Sequence, residues 1–376
     1  MLANLPGLQG EVITELAVPS SPETLTVEWL DSALRQSGYL KSAKVKSLGA
    51  EVIGRDSGFL SRVVRLTPTY THAEPMAPAN VIAKIAASLP QLHDDMRASY
   101  EMEMWFYEAL APGMPTRVPR CYRVMQDPES GNFVLLLEDL GDAGSINEKT
   151  GASYAEAEAA LTGAAAFHAR WWEAMDDEML GRLRANDRPY FEQLSQRFTA
   201  GWVKIPAFIL PFIPADVKEI AAIIPGVLQS NERLWSGRQT LLHDDYRVSN
   251  MRFTGADTKT VTVFDWQSIR RGTGPVDVAY FVMNSLLSKD RQEWQDALIQ
   301  HYHEALRTHG VEDYSLEECR RDYAIGCLVN FIKLFAHAEN VESMDPLANA
   351  AGTQLALTIL GRMAEATVST RSLWQG

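Results

Sequence analysis

The stretch LLHDDYRVSNMRF at residues 241–253, followed by VTVFDWQSIRRGTGPVDVAYF at 261–281, decides how this chain is read. Short apolar or β-branched runs (Leu241 and Leu242, Met251 to Phe253, Thr260 to Phe264) read as buried strands around a polar loop. Such a loop carries its carboxylate at the end of a rigid element. Asp245 is suited to accept the proton of an attacking alcohol, and Asn250 offers a neutral amide oxygen to a hard metal ion. Asp265, after its own strand, offers a charged oxygen to the same metal. Phosphoryl transfer asks a protein mostly for positioning and charge neutralisation. A base, two metal ligands and a lysine on the nucleotide phosphates form a nearly complete set, so the expectation is a small-molecule kinase.

With those residues in view, the chain resembles the aminoglycoside phosphotransferase and choline kinase superfamily, and within it the ecdysteroid-kinase-like branch. The marker is H-G-D-x-x-x-x-N, then an aspartate-tryptophan strand end, then G-x-x-D-x-A-Y/F. It is met by His243, Asp245 and Asn250, by Asp265 and Trp266, and by Gly274, Asp277, Ala279 and Tyr280. The departure is Asp244, where the family usually has glycine. A second carboxylate there could bind metal, raise the base's pKa by like-charge repulsion, or point into solvent. The resemblance implies a protein-kinase-like α+β fold: an N-terminal lobe with antiparallel sheet and helix, and a larger, mainly helical C-terminal lobe. It also implies ATP and Mg²⁺ as cofactors, with Asp277 mainly architectural. Arg247 lies two residues after Asp245, where protein kinases often carry a basic residue facing the transferred phosphate; an ion pair with Asp244 or Asp277 is the alternative. Gln267 stands where an acidic residue is common, so a third metal ligand there would be neutral.

The N-terminal third has to supply a nucleotide clamp. Residues 43–53, 58–67 and 80–86 read as three strands, with Gly54 and Gly58 bracketing a turn that could lie over phosphates. Lys84 sits inside the apolar run Val81 to Ile85, where an ammonium group is unwelcome unless it is paired or lies on an edge strand. His93 to Leu110 is a long helical pattern, and its EMWFYEAL resembles the family's E-x-x-F-Y helix, which makes Glu103 the partner of Lys84. Phe133 to Leu137 reads as a central strand entering a polar connector. In the superfamily that connector is the hinge, so Glu138 to Leu140 mark where backbone groups would meet adenine.

Ser153 and Glu156 make a capping box for a helix through Phe167, His168 and Trp171, with His168 read as a packed core histidine. His301, His303 and His309 lack metal-spaced partners and read as surface helix residues. The lobe boundary is expected near Gly141 to Gly151, giving domains 1–140, with a helical extension over 1–40, and 141–376. Pro68 to Asn80 reads as a loop.

Composition narrows the class. A 46% hydrophobic content over 376 residues suffices for a large core. Cys121, Cys319 and Cys327 are odd in number and scattered, which fits a reducing compartment and neither a disulfide framework nor a zinc site. No basic leader and no run near the roughly 18 apolar residues of a spanning helix is seen, so a cytoplasmic protein is expected. Net charge −13 is unfavourable for nucleic acid and favours a cationic partner.

Only eleven residues separate Asp265 from Asp277, too few for the segment on which protein kinases dock a peptide, so a small hydroxylated acceptor is favoured. Its cover is expected over Tyr190 to Ile224, where prolines 206, 211 and 214 would leave short apolar pieces. That content suggests a hydrophobic alcohol; aminoglycoside or choline-like acceptors, nucleotidyl transfer, and an inactive nucleotide-binding regulatory module are the alternatives.

Overall fold

A computed structural model of the chain describes residues 16–53, 61–86, 94–205, 213–256, 259–336 and 350–375. The chain divides into two compact units: residues up to Ala98 with Pro119–Asp139, and Ser99–Val118 with the rest from Leu140.

The first unit is built on a five-stranded antiparallel sheet in the order β1-β2-β3-β5-β4. Helix α1 (Val27–Gln36) starts at Thr26, whose hydroxyl accepts the Trp29 N–H, and turns Trp29, Leu30, Ala33 and Leu34 to the core. The strands are β1 (Val45–Ile53), β2 (Ser61–Tyr70) and β3 (Val81–Ala86), then, after α2 (Asp94–Trp105), β4 (Cys121–Gln126) and β5 (Phe133–Glu138). Period-two alternation puts Val64, Leu66, Val81, Ala83, Ile85, Val134 and Leu136 in one cluster with the α1 face. Ile82 and Lys84, half-buried, fall on the opposite face of β3. Since β3 is the middle strand, the edge-strand alternative for Lys84 is excluded. β2 runs on through Pro68, which sequence reading gave to a loop. Its pairing with β3 stops at Leu66, so the proline's missing N–H falls where no third strand needs it.

In the second unit α2 continues as a wide turn over Phe106–Leu110. The helices that follow are α3 (Tyr154–Arg170), α4 (Asp177–Arg182), α5 (Arg188–Val203), α6 (Ala215–Ser230) and α7 (Arg233–Ser236). The short antiparallel ribbons β6 (Thr240–Leu242) with β9 (Arg270–Gly272) and β7 (Met251–Thr254) with β8 (Thr260–Val263) come next. Helices α8 (Pro275–Ser285), α9 (Ser288–Thr308), α10 (Leu316–Ala336), α11 (Ala350–Ser369) and α12 (Arg371–Gln375) complete it. The capping box of α3 is formed as expected by Ser153 and Glu156. Almost every side chain of α8 is buried, and α10 lies against it so closely that a Cβ on Gly326 would come within 2.9 Å of Ala279 and the Pro275 carbonyl.

Two expectations are corrected here. The stretch Tyr190 to Ile224 is not a set of short pieces: α5 ends before Pro206 and α6 begins after Pro214, so these prolines stand outside the two sixteen-residue helices. Phe191, Phe198, Ile213, Ile220 and Ile224 are core residues, while Phe208, Ile209 and Phe212 lie outside the described residues. Among the three late histidines His303 is buried, its Nε2 2.8 Å from the Tyr314 carbonyl oxygen, and His301 meets the Thr162 hydroxyl; His309 alone is exposed.

Candidate active site

The site grows from the end of β6. Thr240, Leu241 and Leu242 are fully buried, so the chain leaves the ribbon rigidly held at His243. Both next peptide N–H groups donate to one carboxylate: His243 N to Asp277 Oδ2 at 2.7 Å and Asp244 N to Asp277 Oδ1 at 2.9 Å. Asp277, in the first turn of α8, is fully buried and also meets His168 Nε2 at 3.3 Å; the other ring nitrogen of His168 is 2.8 Å from the Tyr302 hydroxyl. Burial pushes the His168 pKa down against the pull of Asp277, so a neutral imidazole with its proton on Nε2 and Tyr302 donating to Nδ1 satisfies every group. The expected architectural role of Asp277 is seen in these bonds, with His168 as part of it.

His243 ties the loop to the second motif. Its Nδ1 accepts the Asp245 N–H at 3.3 Å, which leaves Nε2 to donate to the Phe264 carbonyl at 3.0 Å, one residue before Asp265. The Asn250 side-chain nitrogen donates to the Asp245 backbone oxygen (2.9 Å) and to its Oδ2 (2.8 Å), which turns the Asn250 carbonyl oxygen away from the base. Asp265 adopts a left-handed conformation, φ 68°, which aspartate tolerates better than most residues. The next residue holds the turn: Trp266 is fully buried, stacks on Phe106 at 4.3 Å and donates its indole N–H to the Val263 carbonyl. Gln267 directs its amide nitrogen to Asp265 Oδ2 at 3.4 Å, so it faces the carboxylate as a donor.

Burial raises the Asp245 pKa, and Asp265 raises it further; Arg247, His243 and the Asn250 hydrogen bond oppose this. Arg247 Nε lies 3.1 Å from Asp245 Oδ1 and its Nη1 3.5 Å from Glu148 Oε1, a pairing with neither Asp244 nor Asp277. The Nε approach is a charge contact without hydrogen-bond alignment. Tyr280 also feels Asp245, whose charge raises the phenol beyond the effect of burial.

Asp244 has φ 63°, a left-handed backbone that glycine adopts without steric cost. Its carboxylate does not point into solvent. It is bound by Lys333 of α10 and by Arg270 Nε of β9 at 3.2 Å.

The structure therefore brings Asp245, Asn250, Arg247 and Asp265 together. Of the residues expected to meet the nucleotide, Lys84 stands on β3 and Glu138 at the end of β5 in the first unit; Glu103, 1% exposed, and half-buried Leu140 belong to the second. Gly54 and Gly58 lie outside the described residues. Sequence reading missed Glu148, Arg270 and Lys333. Each meets the motif from far along the chain or from a segment without periodicity, and no local signal marked them.

An antiparallel sheet unit and a mainly helical unit, with Asp245, Asn250 and Asp265 beside consecutive short ribbons, make up a protein-kinase-like fold. The model of the ecdysteroid kinase-like family matches residues 56–312, and the chain belongs to that family, whose members phosphorylate hydroxyl groups of small molecules. Solved structures agree in fold. A microcompartment-associated aminopropanol kinase aligns with a TM-score of 0.56 at 15% identity over 92% of this chain and 99% of its own. A macrolide 2'-phosphotransferase from Brachybacterium faecium gives 0.52 at 14% identity, over 88% and 97%. The GDP complex of an aminoglycoside 2'-phosphotransferase variant gives 0.54 at 11%, over 84% and 92%. No curated sequence matches significantly. Among the described residues no helix is long and apolar enough to cross a membrane.

Proposed function

We propose that the chain transfers the γ-phosphoryl group of ATP to a hydroxyl group of a small, hydrophobic alcohol. The observation that carries this is the Asp245–Asn250 contact: the amide nitrogen is spent on the base, so the amide oxygen is left for a cation, with the Asp265 carboxylate near enough to shift the Asp245 pKa. Asn250 and Asp265 fit Mg²⁺, which takes few protein oxygens and completes its shell with phosphates and water. Bound there, the ion would neutralise phosphate charge as transfer proceeds. Asp245 takes the acceptor's proton, and its neighbours Arg247 and Asn250 hold the carboxylate in one orientation. Arg247, 35% exposed at its side chain, is assigned to the transferred phosphate as well. Lys84 is assigned to the donor phosphates, with Glu103 as its expected partner and Glu138 and Leu140 for the base. A relative in fold was solved with GDP, which makes GTP the alternative donor.

The acceptor preference rests on the apolar content of α5, α6 and the segment joining them, much of which is used in packing. A regulatory reading would gain support from an Asp244 that disabled the base, and its carboxylate is held by Lys333 and Arg270 instead. Three cysteines, odd in number and scattered along the sequence, favour a cytoplasmic setting. The test is a Mg²⁺-dependent transfer screen against pooled hydroxylated compounds, run beside Asp245→Asn and read by mass. A product heavier by one phosphoryl group, absent with the variant, is expected. A nucleoside monophosphate adduct, or nucleotide binding with no product, would replace this reading.

A further inference from the structure

Three elements bring charge to one point beside the base. Asp244 Oδ1 meets Lys333 Nζ and Oδ2 meets Arg270 Nε at 3.2 Å; the three side chains are 10–13% exposed. Arg270 is held from two further directions, by the Asn186 Oδ1 at 2.8 Å from its Nη1 and by the Tyr190 ring 4.3 Å from its guanidinium carbon. Its orientation is therefore fixed without Asp244. One carboxylate shared by two cations offsets the repulsion between them, which a poorly hydrated setting strengthens. A glycine at 244 would satisfy the left-handed backbone and leave the place between the two cations open to another anion.

We infer that Asp244 is a specificity-determining residue whose carboxylate fills an anion subsite made by Lys333 and Arg270, next to the catalytic base. The subsite is closed by the protein's own side chain, so acceptors bearing a carboxylate, sulfate or phosphate at that point are rejected and uncharged hydroxyl compounds are taken. The acceptor part rests on the phosphotransferase reading; the anion subsite does not.

The test is thermal unfolding of Asp244→Gly while chloride is exchanged for acetate, and separately for inorganic phosphate, at constant ionic strength. Anion binding to the folded state raises the midpoint in a saturable way. The glycine protein is expected to melt below the parent and to regain several degrees with acetate, the parent to show no such change, and Asp244→Gly with Lys333→Met to lose the response. Asp244→Asn, which keeps the side-chain volume, should respond weakly if at all. Equal responses in parent and glycine variant, or a response that survives loss of Lys333, would overturn the subsite. In a transfer screen the glycine variant should shift turnover toward hydroxy acids over neutral alcohols by at least tenfold; an unchanged ratio would overturn the specificity role. Unfolding needs no turnover, so absence of transfer with an intact acetate response would remove the phosphotransferase reading alone.

Discussion

Asp245 works in a conflict that its neighbours only partly relieve. Burial and Asp265 raise its pKa, and the proposed role as base requires the deprotonated form, so the acid limb of kcat/KM should lie above the ordinary carboxylate range near 4. Arg247 favours the carboxylate; without it the proton is held more tightly. Arg247→Gln is therefore expected to move the acid limb to higher pH and to lower kcat more than it weakens ATP binding. A limb unmoved in a pH–rate profile would remove Arg247 from the electrostatics of the base. That Asp245, Asn250 and Asp265 come together was legible because their spacing is local and short apolar runs flank them. Glu148, some hundred residues before Arg247, and Lys333, 89 residues from Asp244, were not, because contact between distant segments leaves no periodic trace.

Elements were readable where one physical signal acts alone. Alternation located β1, β2 and β3, and Ser153 with Glu156 fixed the start of α3. The reading failed where neighbours decide. Pro68 is a strand residue because β3 ends opposite Leu66, and the proline-rich stretch before Ile224 holds two long helices because its prolines gather between them. The α8–α10 contact gives a test at this scale. A methyl group at 326 would meet Ala279 and the Pro275 carbonyl at 2.9 Å, and both belong to the helix that carries Asp277. Gly326→Ala should cost about 1–3 kcal/mol in denaturant unfolding, the range for overfilling a packed interior. It should also slow transfer, because Asp277 holds the base loop by two backbone bonds. Stability equal to the parent would mean that the helices separate freely.

Across the whole molecule, the fold tolerates wide sequence change: relatives at 11–15% identity superpose over most of both chains. On the proposed reading, the charged and amide groups around the β6–β9 and β7–β8 ribbons couple such a fold to a nucleotide. Ligand binding should then appear as stability. ATP with Mg²⁺ at a hundred times its dissociation constant should stabilise the folded chain by about 2.7 kcal/mol. Omitting Mg²⁺ should remove most of that gain, and Asp265→Asn should make the protein indifferent to the metal. A shift of the same size in the variant would take Asp265 out of the metal site. The net charge of −13 adds a general reason for the metal, since uncomplexed ATP meets a repelling field.

The Asp244 cluster also constrains history. A carboxylate at 244 that lacked Lys333 or Arg270 would be a nearly buried anion with only one of its two cations, whereas Arg270 has Asn186 and Tyr190 to hold it whether or not Asp244 is present. The order of replacement therefore has one easy direction: cations first, aspartate afterwards, and aspartate first to leave. Lys333→Met is accordingly expected to lower the midpoint of thermal unfolding more than Asp244→Gly does. From the present sequence, loss of either cation is open to descendants only once position 244 has given up its charge.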